Sequence, residues 1–136
     1  MLAADYAEVV ALWRASEGIG LTESDSEPGV AAYLARNPDM SAVACDASER
    51  IVGAVLCGHD GRRGYLHHLA VTRGLRRSGI GAALVAHCFA RLAEAGIPKC
   101  NIFLFPDNAV GEAFWLRQGW YRPDWFVMQK PVANDE

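Results

Sequence analysis

The chain has 136 residues, with 13 Lys and Arg against 16 Asp and Glu and a net charge of −3. Since a domain typically takes about 100–200 residues, we expect residues 1–136 to form a single domain. Hydrophobic residues make up 51% and charged residues 21% of the chain, which excludes a disordered or collagen-like protein. The mild acidity argues against a nucleic-acid-binding protein, which normally carries a basic balance.

The sequence shows no signal for secretion or for a membrane. Residues 1–5 lack the charged segment and the long apolar run of a signal peptide. The longest apolar stretch, residues 80–90, is well short of the ~20 residues that a membrane-spanning helix needs. We therefore expect a cytoplasmic protein without a membrane partner.

The cysteines do not form a metal-binding pattern. They are widely spaced, contain no Cys-x-x-Cys pair and have no histidine at ligand spacing, so no metal is expected. They are Cys45, Cys57, Cys88 and Cys100. Because their neighbours in sequence are largely apolar, we expect buried free thiols that behave as small hydrophobic side chains.

The first element in chain order is a predicted amphipathic helix over residues 5–16. Apolar residues recur at i, i+3, i+4 and i+7 from Tyr6, which is the spacing of one helix face. Asp5 is the expected N-cap, and Glu8 three residues later completes a pattern like a capping box.

The remaining elements alternate between strands and helices. After a polar loop over 17–28, the pattern predicts a helix over 29–36, strands over 41–45, 51–57 and 65–71, a helix over 80–95, a strand over 100–105, a helix over 109–118 and a last strand over 125–129. The strand–helix–strand unit from 65 to 105 places its two strands parallel, through a right-handed crossover. The sequence therefore predicts an α/β or α+β sandwich with a mixed sheet.

The most informative segment is the turn between the third strand and the third helix. Gly79 and Gly81 lack Cβ atoms, so a ligand oxygen can approach the backbone where the helix begins. The free N–H groups of a helix start favour anions, and Arg73, Arg76 and Arg77 add positive charge beside them. We expect a phosphate-binding turn. A glycine-bearing helix start with solvated arginines is the alternative.

Two familiar nucleotide-binding motifs fit this turn poorly. A P-loop requires Lys directly after its last glycine, where Ile80 stands. A Rossmann turn requires Gly or Ala at the position of Leu84 and an acidic residue ~20 residues later, yet residues 100–105 contain no carboxylate. A Rossmann-like nucleotide binder is therefore only a third hypothesis.

Two blocks of the sequence resemble the GNAT superfamily of acyl-CoA N-acetyltransferases. The first is Arg76-x-x-Gly79-x-Gly81 after a strand that ends in Leu-Ala-Val at 69–71. In the second, over 108–120, Asn108 begins a helix, an aromatic pair lies within the helix, and Gly followed by Trp ends it. The likeness covers roughly residues 40–130 and includes the order of the elements.

The resemblance implies a fold and a cofactor. The fold would be a central mixed sheet of about six strands flanked by about four helices, in which strands 65–71 and 100–105 splay apart. Acetyl-CoA would lie between these strands, and no metal is implied. The residues that the resemblance assigns to cofactor binding are Leu69, Ala70, Val71, Arg76, Arg77, Ser78, Gly79, Ile80, Gly81, Ala82, Asn108 and Phe114.

The sequence departs from the family pattern at two catalytic positions. Trp115 stands where the family commonly has an acid tyrosine, and Phe103 where some relatives have a glutamate base. Since an indole N–H is not a usable acid, the thiolate would be protonated by water, by the substrate ammonium or by Tyr121. His67 is the expected base, with a hydrogen-bonded core histidine as the alternative. Strand alternation places His68 on the opposite face.

The resemblance implies direct acetyl transfer, in a ternary complex, from acetyl-CoA to a primary amine of a small molecule or of a peptide or protein N-terminus. A backbone N–H near Val71 would stabilise the oxyanion. A catalytically silent acyl-CoA-binding or sensor protein of the same fold is the alternative.

Two further features concern partners. Acidic residues of the loop between the first two helices would attract a cationic acceptor, with a solvated loop as the alternative; they are Glu17, Glu23, Asp25 and Glu27. The family usually begins with a strand, and only residues 1–4 precede the first predicted helix here. Either that strand is stunted or the sheet edge is open, and an open edge favours pairing with a second chain as a homodimer.

Overall fold

The structure, a computed structural model, describes residues 1–133 and shows four α-helices and four strands in this part of the chain. In chain order these elements are α1 (Tyr6–Arg14), α2 (Glu27–Arg36), β1 (Ala42–Cys45), β2 (Ile51–His59), β3 (Gly64–Val71), α3 (Ile80–Glu94), β4 (Cys100–Asn101) and α4 (Ala109–Arg117). Short 3-10 turns cover Ala3–Asp5, Glu23–Asp25 and Arg73–Leu75.

The sheet is mixed, as predicted, with the strand order β1-β2-β3-β4. The β1–β2 and β2–β3 pairs are antiparallel and the β3–β4 pair is parallel. The central strand β2 is buried on both faces. Its side chains alternate, with Val55 and Cys57 packed on the side of α3 and Ala54 and Leu56 on the side of α1. The sheet is therefore the middle layer between two helical layers.

Helix α1 buries its apolar stripe as predicted, but the predicted capping box is wrong. The Asp5 carboxylate accepts a hydrogen bond from Leu2 N at 2.7 Å, so it closes the 3-10 turn that precedes the helix. Glu8 Oε2 accepts a hydrogen bond from Ile51 N at 3.2 Å. Both carboxylates are thus used by backbone groups that the local pattern could not identify.

Helix α2 begins two residues earlier than predicted. Ser26 Oγ accepts a hydrogen bond from Gly29 N at 3.2 Å, and Pro28 lies in the first turn, where its missing N–H costs nothing. The preceding loop contains the 3-10 turn Glu23–Asp25, for which Thr22 is the N-cap.

The strand–helix–strand unit is confirmed, but its second strand is shorter than predicted. Strands β3 and β4 pair only at Gly64 with Cys100 and Tyr65 with Asn101. The predicted strand over 100–105 is therefore two residues long, because the chain leaves the sheet after Asn101 and residues 103–105 are exposed. The edge of β3 beyond Tyr65 has no strand beside it on this side within residues 1–133.

The predicted strand over 125–129 is absent, so residues 1–133 contain four strands and not about six. The side chains from Trp125 to Met128 are between 60% and 86% exposed. Their aromatic and β-branched composition favours a strand, yet a strand needs a partner for its backbone hydrogen bonds. The neighbouring edge strand β4 is too short to supply one.

The cysteines are free, as predicted, but they are not all buried. Cys57 and Cys88 lie in the core, whereas Cys45, at the end of the edge strand β1, is exposed. Burial raises the pKa of the half-buried Cys100 thiol to about 12. Among the helices of residues 1–133, none has the length and apolarity needed to cross a bilayer.

Candidate active site

A cleft of about 840 Å³ opens where β3 and β4 separate. Its walls come from β3, from the start of α3, from residues 102–104 and from α4. Of the twelve residues predicted to bind a cofactor, all except Ser78 line this cleft. The structure thus brings together two blocks that are about 30 residues apart in the sequence.

The end of the cleft at α3 is a cradle of backbone amides. The first helical hydrogen bond of α3 runs from Ala83 N to Gly79 O at 3.0 Å. The amides of Ile80, Gly81 and Ala82 therefore have no acceptor within the helix, and all three residues line the cleft. Free amides at the positive end of a helix are suited to binding phosphate.

The backbone of the turn is left-handed at two positions. Gly79, the N-cap of α3, has a φ of 87°, a conformation in which glycine carries no Cβ penalty. Arg77 has a φ of 67° and is one of the few non-glycine residues of the described chain with a left-handed backbone conformation. These two turns allow the chain to leave β3 and start α3 with its amides facing the cleft.

The three arginines of the turn differ in orientation. Arg76 and Arg77 line the cleft, and Arg76 Nε also donates a hydrogen bond to Val71 O at 3.3 Å. Arg73 is ion-paired with Glu17 of the α1–α2 loop, and both side chains are exposed. Two of the three arginines therefore line the cleft that contains the amide cradle.

The middle of the cleft runs along the open edge of β3. Leu69, Ala70 and Val71 line it, and β2 pairs with the opposite edge of the strand at Ala70 and Val71. An extended ligand can therefore use the free backbone groups of this edge as an added strand would. The amide cradle lies at the Val71 end of this edge.

A β-bulge lies at the other end of the open edge. In the β2–β3 pairing, Leu56 faces His67 and Ala54 faces Ala70, so His68 and Leu69 together oppose a single residue of β2. His68 has a φ of 56°. Because the bulge interrupts the alternation of side chains, His68 lines the cleft, and the predicted placement of His68 on the opposite face is wrong.

His68 is held by contacts from two distant segments. Its Nε2 lies 3.0 Å from Oδ1 of the buried Asp25, and its backbone carbonyl accepts a hydrogen bond from Trp13 Nε1 at 2.9 Å. The second oxygen of Asp25, Oδ2, accepts a hydrogen bond from Thr22 N at 2.9 Å. The sequence does not predict the contacts of His68 with Asp25 and Trp13, because these residues are far apart in the chain. The only signal in the sequence is the pair of adjacent histidines on the predicted strand.

His67 lies beside the cleft in an aromatic stack. Its ring is stacked 5.9 Å from that of Phe103, which lines the cleft, and 6.2 Å from that of Tyr65. Burial, aided by the neighbouring His68, lowers the pKa of the His67 imidazole, which Asp25 opposes. The ring is therefore neutral near pH 7, but it is not itself part of the cleft wall.

Helix α4 supplies the opposite wall. Asn108 Oδ1 accepts a hydrogen bond from Gly111 N at 2.9 Å and caps the helix. Phe114 lines the cleft and packs at 5.1 Å against Trp115, whose ring lies 4.9 Å from that of Trp120. Trp115 is thus a buried wall residue within an aromatic cluster.

Tyr121 is not brought to the cleft. Its side chain is 70% exposed, and it is not among the lining residues. Of the acidic residues proposed to attract an amine, Glu17 lines the cleft and Asp25 is buried against His68, whereas Glu23 and Glu27 are exposed to solvent.

The α1–α2 loop lies directly against the β4–α4 loop. A Cβ at Gly18 would lie 2.7 Å from Asn108 Nδ2, and one at Gly20 would lie 2.8 Å from Phe105 Cζ. The two loops are therefore in direct contact at these glycines.

Comparison with known proteins agrees with this geometry. Residues 7–120 match the family model described as "Acetyltransferase (GNAT) family". The chain is 29% identical over 132 residues to "Acetyltransferase YE1169" of Yersinia enterocolitica, covering 97% of this chain and 92% of that protein.

Two solved structures have a similar fold. A PaiA N-acetyltransferase of Thermoplasma acidophilum, in complex with coenzyme A, is 16% identical with a TM-score of 0.77, over 93% of this chain and 89% of that one. AAC(6')-Iy, in complex with a bisubstrate analogue, is 13% identical with a TM-score of 0.75, over 98% and 95%. At these identities the likeness concerns the fold alone.

Proposed function

The chain belongs to the Acetyltransferase (GNAT) family and is an acetyl-CoA-dependent N-acetyltransferase, and we propose that it acetylates a primary amine by direct transfer in a ternary complex. The acceptor is an amine of a small molecule or the N-terminus of a peptide or protein. The observation that carries this proposal is the cleft, in which an amide cradle, an open strand edge and an imidazole follow one another.

The cofactor is proposed to lie along this sequence of features. Its pyrophosphate binds the amides from Ile80 to Ala82, with Arg76 and Arg77 adding charge-assisted hydrogen bonds. Its pantetheine arm follows the edge of β3 from Val71 to Leu69, which brings the thioester to the end near the bulge. The related structures with coenzyme A and with a bisubstrate analogue support a cofactor and an acceptor that meet in one cleft.

The transfer is one displacement. The lone pair of the neutral amine attacks the thioester carbonyl carbon, a C–N bond forms, and the C–S bond breaks to release the thiolate of CoA. A backbone N–H near Val71 stabilises the oxyanion as it develops. One proton leaves the amine and one proton returns to the thiolate, so the products are the amide and free CoA.

His67 and Tyr121 are the acid–base residues that the sequence predicts, but neither lines the cleft. The lowered pKa of His67 leaves its imidazole neutral and able to accept a proton near pH 7. Since Tyr121 is not brought to the cleft, the thiolate is proposed to take its proton from water or from the substrate ammonium. If His67 is the base, His67→Gln lowers kcat by ~10²-fold or more while the Kd of acetyl-CoA stays the same. Equal kcat in the two proteins would remove His67 from the mechanism.

A silent acyl-CoA-binding protein is the second candidate. It is favoured by Trp115, which occupies the tyrosine position as a buried aromatic wall, and by Phe103 at the glutamate position. Such a protein would bind CoA and release no thiol with any amine. A Rossmann-like nucleotide binder, the third hypothesis, would instead bind NAD and not CoA.

The test is thiol release from acetyl-CoA across a panel of amines and N-terminal peptides, with mass spectrometry of the acceptor. We expect thiol and acetylated acceptor in equal amounts, with little thiol in the absence of amine. Tight CoA binding with no acetylated product across the panel would favour the silent protein and contradict the proposed activity.

Location and assembly belong to this proposal. Acetyl-CoA is a cytoplasmic metabolite, which supports action in the cytoplasm. The outer edge of β1 has no neighbouring strand within residues 1–133, and the apolar side chains of 125–128 are exposed; both features support a homodimer. Light scattering at micromolar concentration distinguishes a dimer from a monomer.

A further inference from the structure

We propose that His68, oriented by Asp25, is a general base of this cleft and accepts the proton of the attacking amine. This role rests on the proposed acetyl transfer and names a residue for it that the sequence pattern does not single out. Asp25 is a positioning residue in this proposal, since it acts on the substrate only through the imidazole.

The two nitrogens of His68 have different surroundings. Nε2 lies 3.0 Å from Asp25 Oδ1, so the ring hydrogen is on Nε2 and the carboxylate accepts it. Within residues 1–133 the structure gives Nδ1 no hydrogen-bond partner, and it leaves no side-chain nitrogen both fully buried and unpaired. Since Nδ1 is unpaired, it is not fully buried, and His68 lines the cleft. In this proposal the lone pair of Nδ1 points toward that cleft. This is the arrangement in which a carboxylate fixes the tautomer of a base.

His68 and Asp25 are held by contacts from other elements, and the backbone of His68 has an uncommon conformation. His68 is a non-glycine residue with a φ of 56°, which is uncommon and is found where surrounding contacts impose it. Trp13 Nε1 donates to its carbonyl at 2.9 Å, and Asp25 is 8% exposed with both oxygens hydrogen-bonded. Burying a carboxylate is costly unless it is paired, so its position against an imidazole calls for a function.

The position of His68 along the strand suits a base. The amide cradle is at one end of the open edge of β3 and His68 is at the other, with Leu69, Ala70 and Val71 between them. A ligand with phosphates in the cradle and an extended arm along this edge places its far end beside His68. That end of acetyl-CoA is the thioester.

The proton transfer is balanced in charge. The N–H bond of the amine breaks as its nitrogen forms the C–N bond, and the proton binds to Nδ1 of His68. Asp25 stabilises the resulting imidazolium. After the C–S bond breaks, the proton passes through water to the thiolate or to solvent, and His68 is neutral again.

Other charged and titratable groups near His68 come from four segments. The ring of His67 is 6.3 Å from that of His68, and the Tyr6 hydroxyl donates to the backbone carbonyl of Asp25 at 2.7 Å. Glu17 and two arginines, Arg76 and Arg77, line the same cleft. A pH profile must therefore be compared between variants and not assigned from one protein alone.

The substitution Asp25→Asn tests the tautomer directly. Thr22 N donates to Oδ2 of Asp25 at 2.9 Å, so the oxygen of an asparagine amide is fixed at this site. Its NH₂ group then faces Nε2 of His68 and donates to it, which moves the ring hydrogen to Nδ1. The nitrogen facing the cleft can no longer accept a proton. Asp124→Asn, which is the same substitution at an exposed position that does not line the cleft, is the matched control.

Two variants of His68 avoid a failure of folding as the explanation. Asparagine and glycine both tolerate the positive φ of this position. We expect His68→Asn and Asp25→Asn to lower kcat by ~10²-fold or more, with an unchanged Kd for acetyl-CoA and loss of the acidic limb of the kcat–pH profile. In His68→Gly, added imidazole is expected to restore part of kcat. Asp124→Asn is expected to behave as the unsubstituted protein.

Three results would overturn the proposal. One is a kcat of His68→Asn within about threefold of the unsubstituted protein. Another is a set of variants that are less stable but keep the acidic limb and show no rescue by imidazole, as a purely structural pair would. The third is loss of the acidic limb in His67→Gln and its persistence in His68→Asn. If the unsubstituted protein acetylates no amine, the proposed function fails and the assignment of the base fails with it, whereas full activity in His68→Asn overturns the assignment alone.

Discussion

The sharpest structural prediction concerns Gly79, the residue that turns the chain into α3. Its φ is 87°, and a Cβ added there would meet no atom within 4 Å. A substitution to alanine is therefore free of steric contact, and its cost is only that of the left-handed backbone, roughly 1–2 kcal/mol. Gly74 in the same turn also has open space around it but no positive φ, so Gly74→Ala is the matched control.

The backbone cost of Gly79→Ala has two possible destinations. If the turn keeps its shape, the free energy of unfolding falls by the full amount, and the Tm of a chain of this length falls by about 3–7 °C. If the turn relaxes, the amide cradle is lost in the free protein and is restored only when the ligand binds. The same free energy then weakens CoA binding by a factor of about 5–30.

Calorimetry measures both quantities on the same two variants. Differential scanning gives the Tm, and titration with CoA gives the Kd. We expect Gly79→Ala to lose stability, affinity or a share of each, and Gly74→Ala to match or slightly exceed the unsubstituted protein, because alanine restricts the unfolded chain. Equal Tm and equal Kd in the two variants would refute the left-handed turn and the amide cradle that depends on it.

Two substitutions and one change of salt concentration test the core, the bulge and the charge of the cleft. Val55→Ala truncates a fully buried side chain of β2 and is expected to lower the free energy of unfolding by about 1–3 kcal/mol. The control Val127→Ala, at a 60% exposed position, is expected to change it by less than ~0.5 kcal/mol. Equal free energies of unfolding of the two variants in urea titration would contradict the described core. Trp13→Phe leaves the carbonyl of His68 unpaired and is expected to lower the free energy of unfolding by about 1–3 kcal/mol. The control Trp125→Phe, at an exposed position, is expected to change it little. Equal free energies of unfolding in the two variants would contradict the indole hydrogen bond. The Kd of CoA is expected to rise as salt is added, because exposed arginines provide part of the binding energy, and a Kd independent of salt would exclude that contribution.

The sequence predicts the features that depend on local pattern. The stripe of α1, the strand–helix–strand unit and the glycine turn each follow from residues that are close in the chain. The turn between β3 and α3 is informative because all of its unusual residues favour an anion at the start of a helix. Gly79 and Gly81 allow the anion to approach the backbone, and the adjacent arginines attract it. The buried β2 follows in the same way from its nearly continuous apolar run.

The features that the sequence does not predict depend on contacts between distant segments. The β-bulge at His68 is a property of the register between two strands, so alternation along β3 gives the wrong face. The pairing with Asp25 joins residues 43 positions apart. The same reasoning explains the error at 125–129, where composition favours a strand but no long neighbouring strand is present to pair with it.

The position of the cofactor is the central claim, and a crystal structure with a non-hydrolysable acetyl-CoA analogue tests it most directly. We expect pyrophosphate oxygens within hydrogen-bond distance of the amides of Ile80, Gly81 and Ala82, the pantetheine arm along the open edge of β3, and the acyl end beside His68. An analogue whose phosphates lie away from the start of α3, or whose acyl end points away from the bulge, would contradict the proposed arrangement of the site.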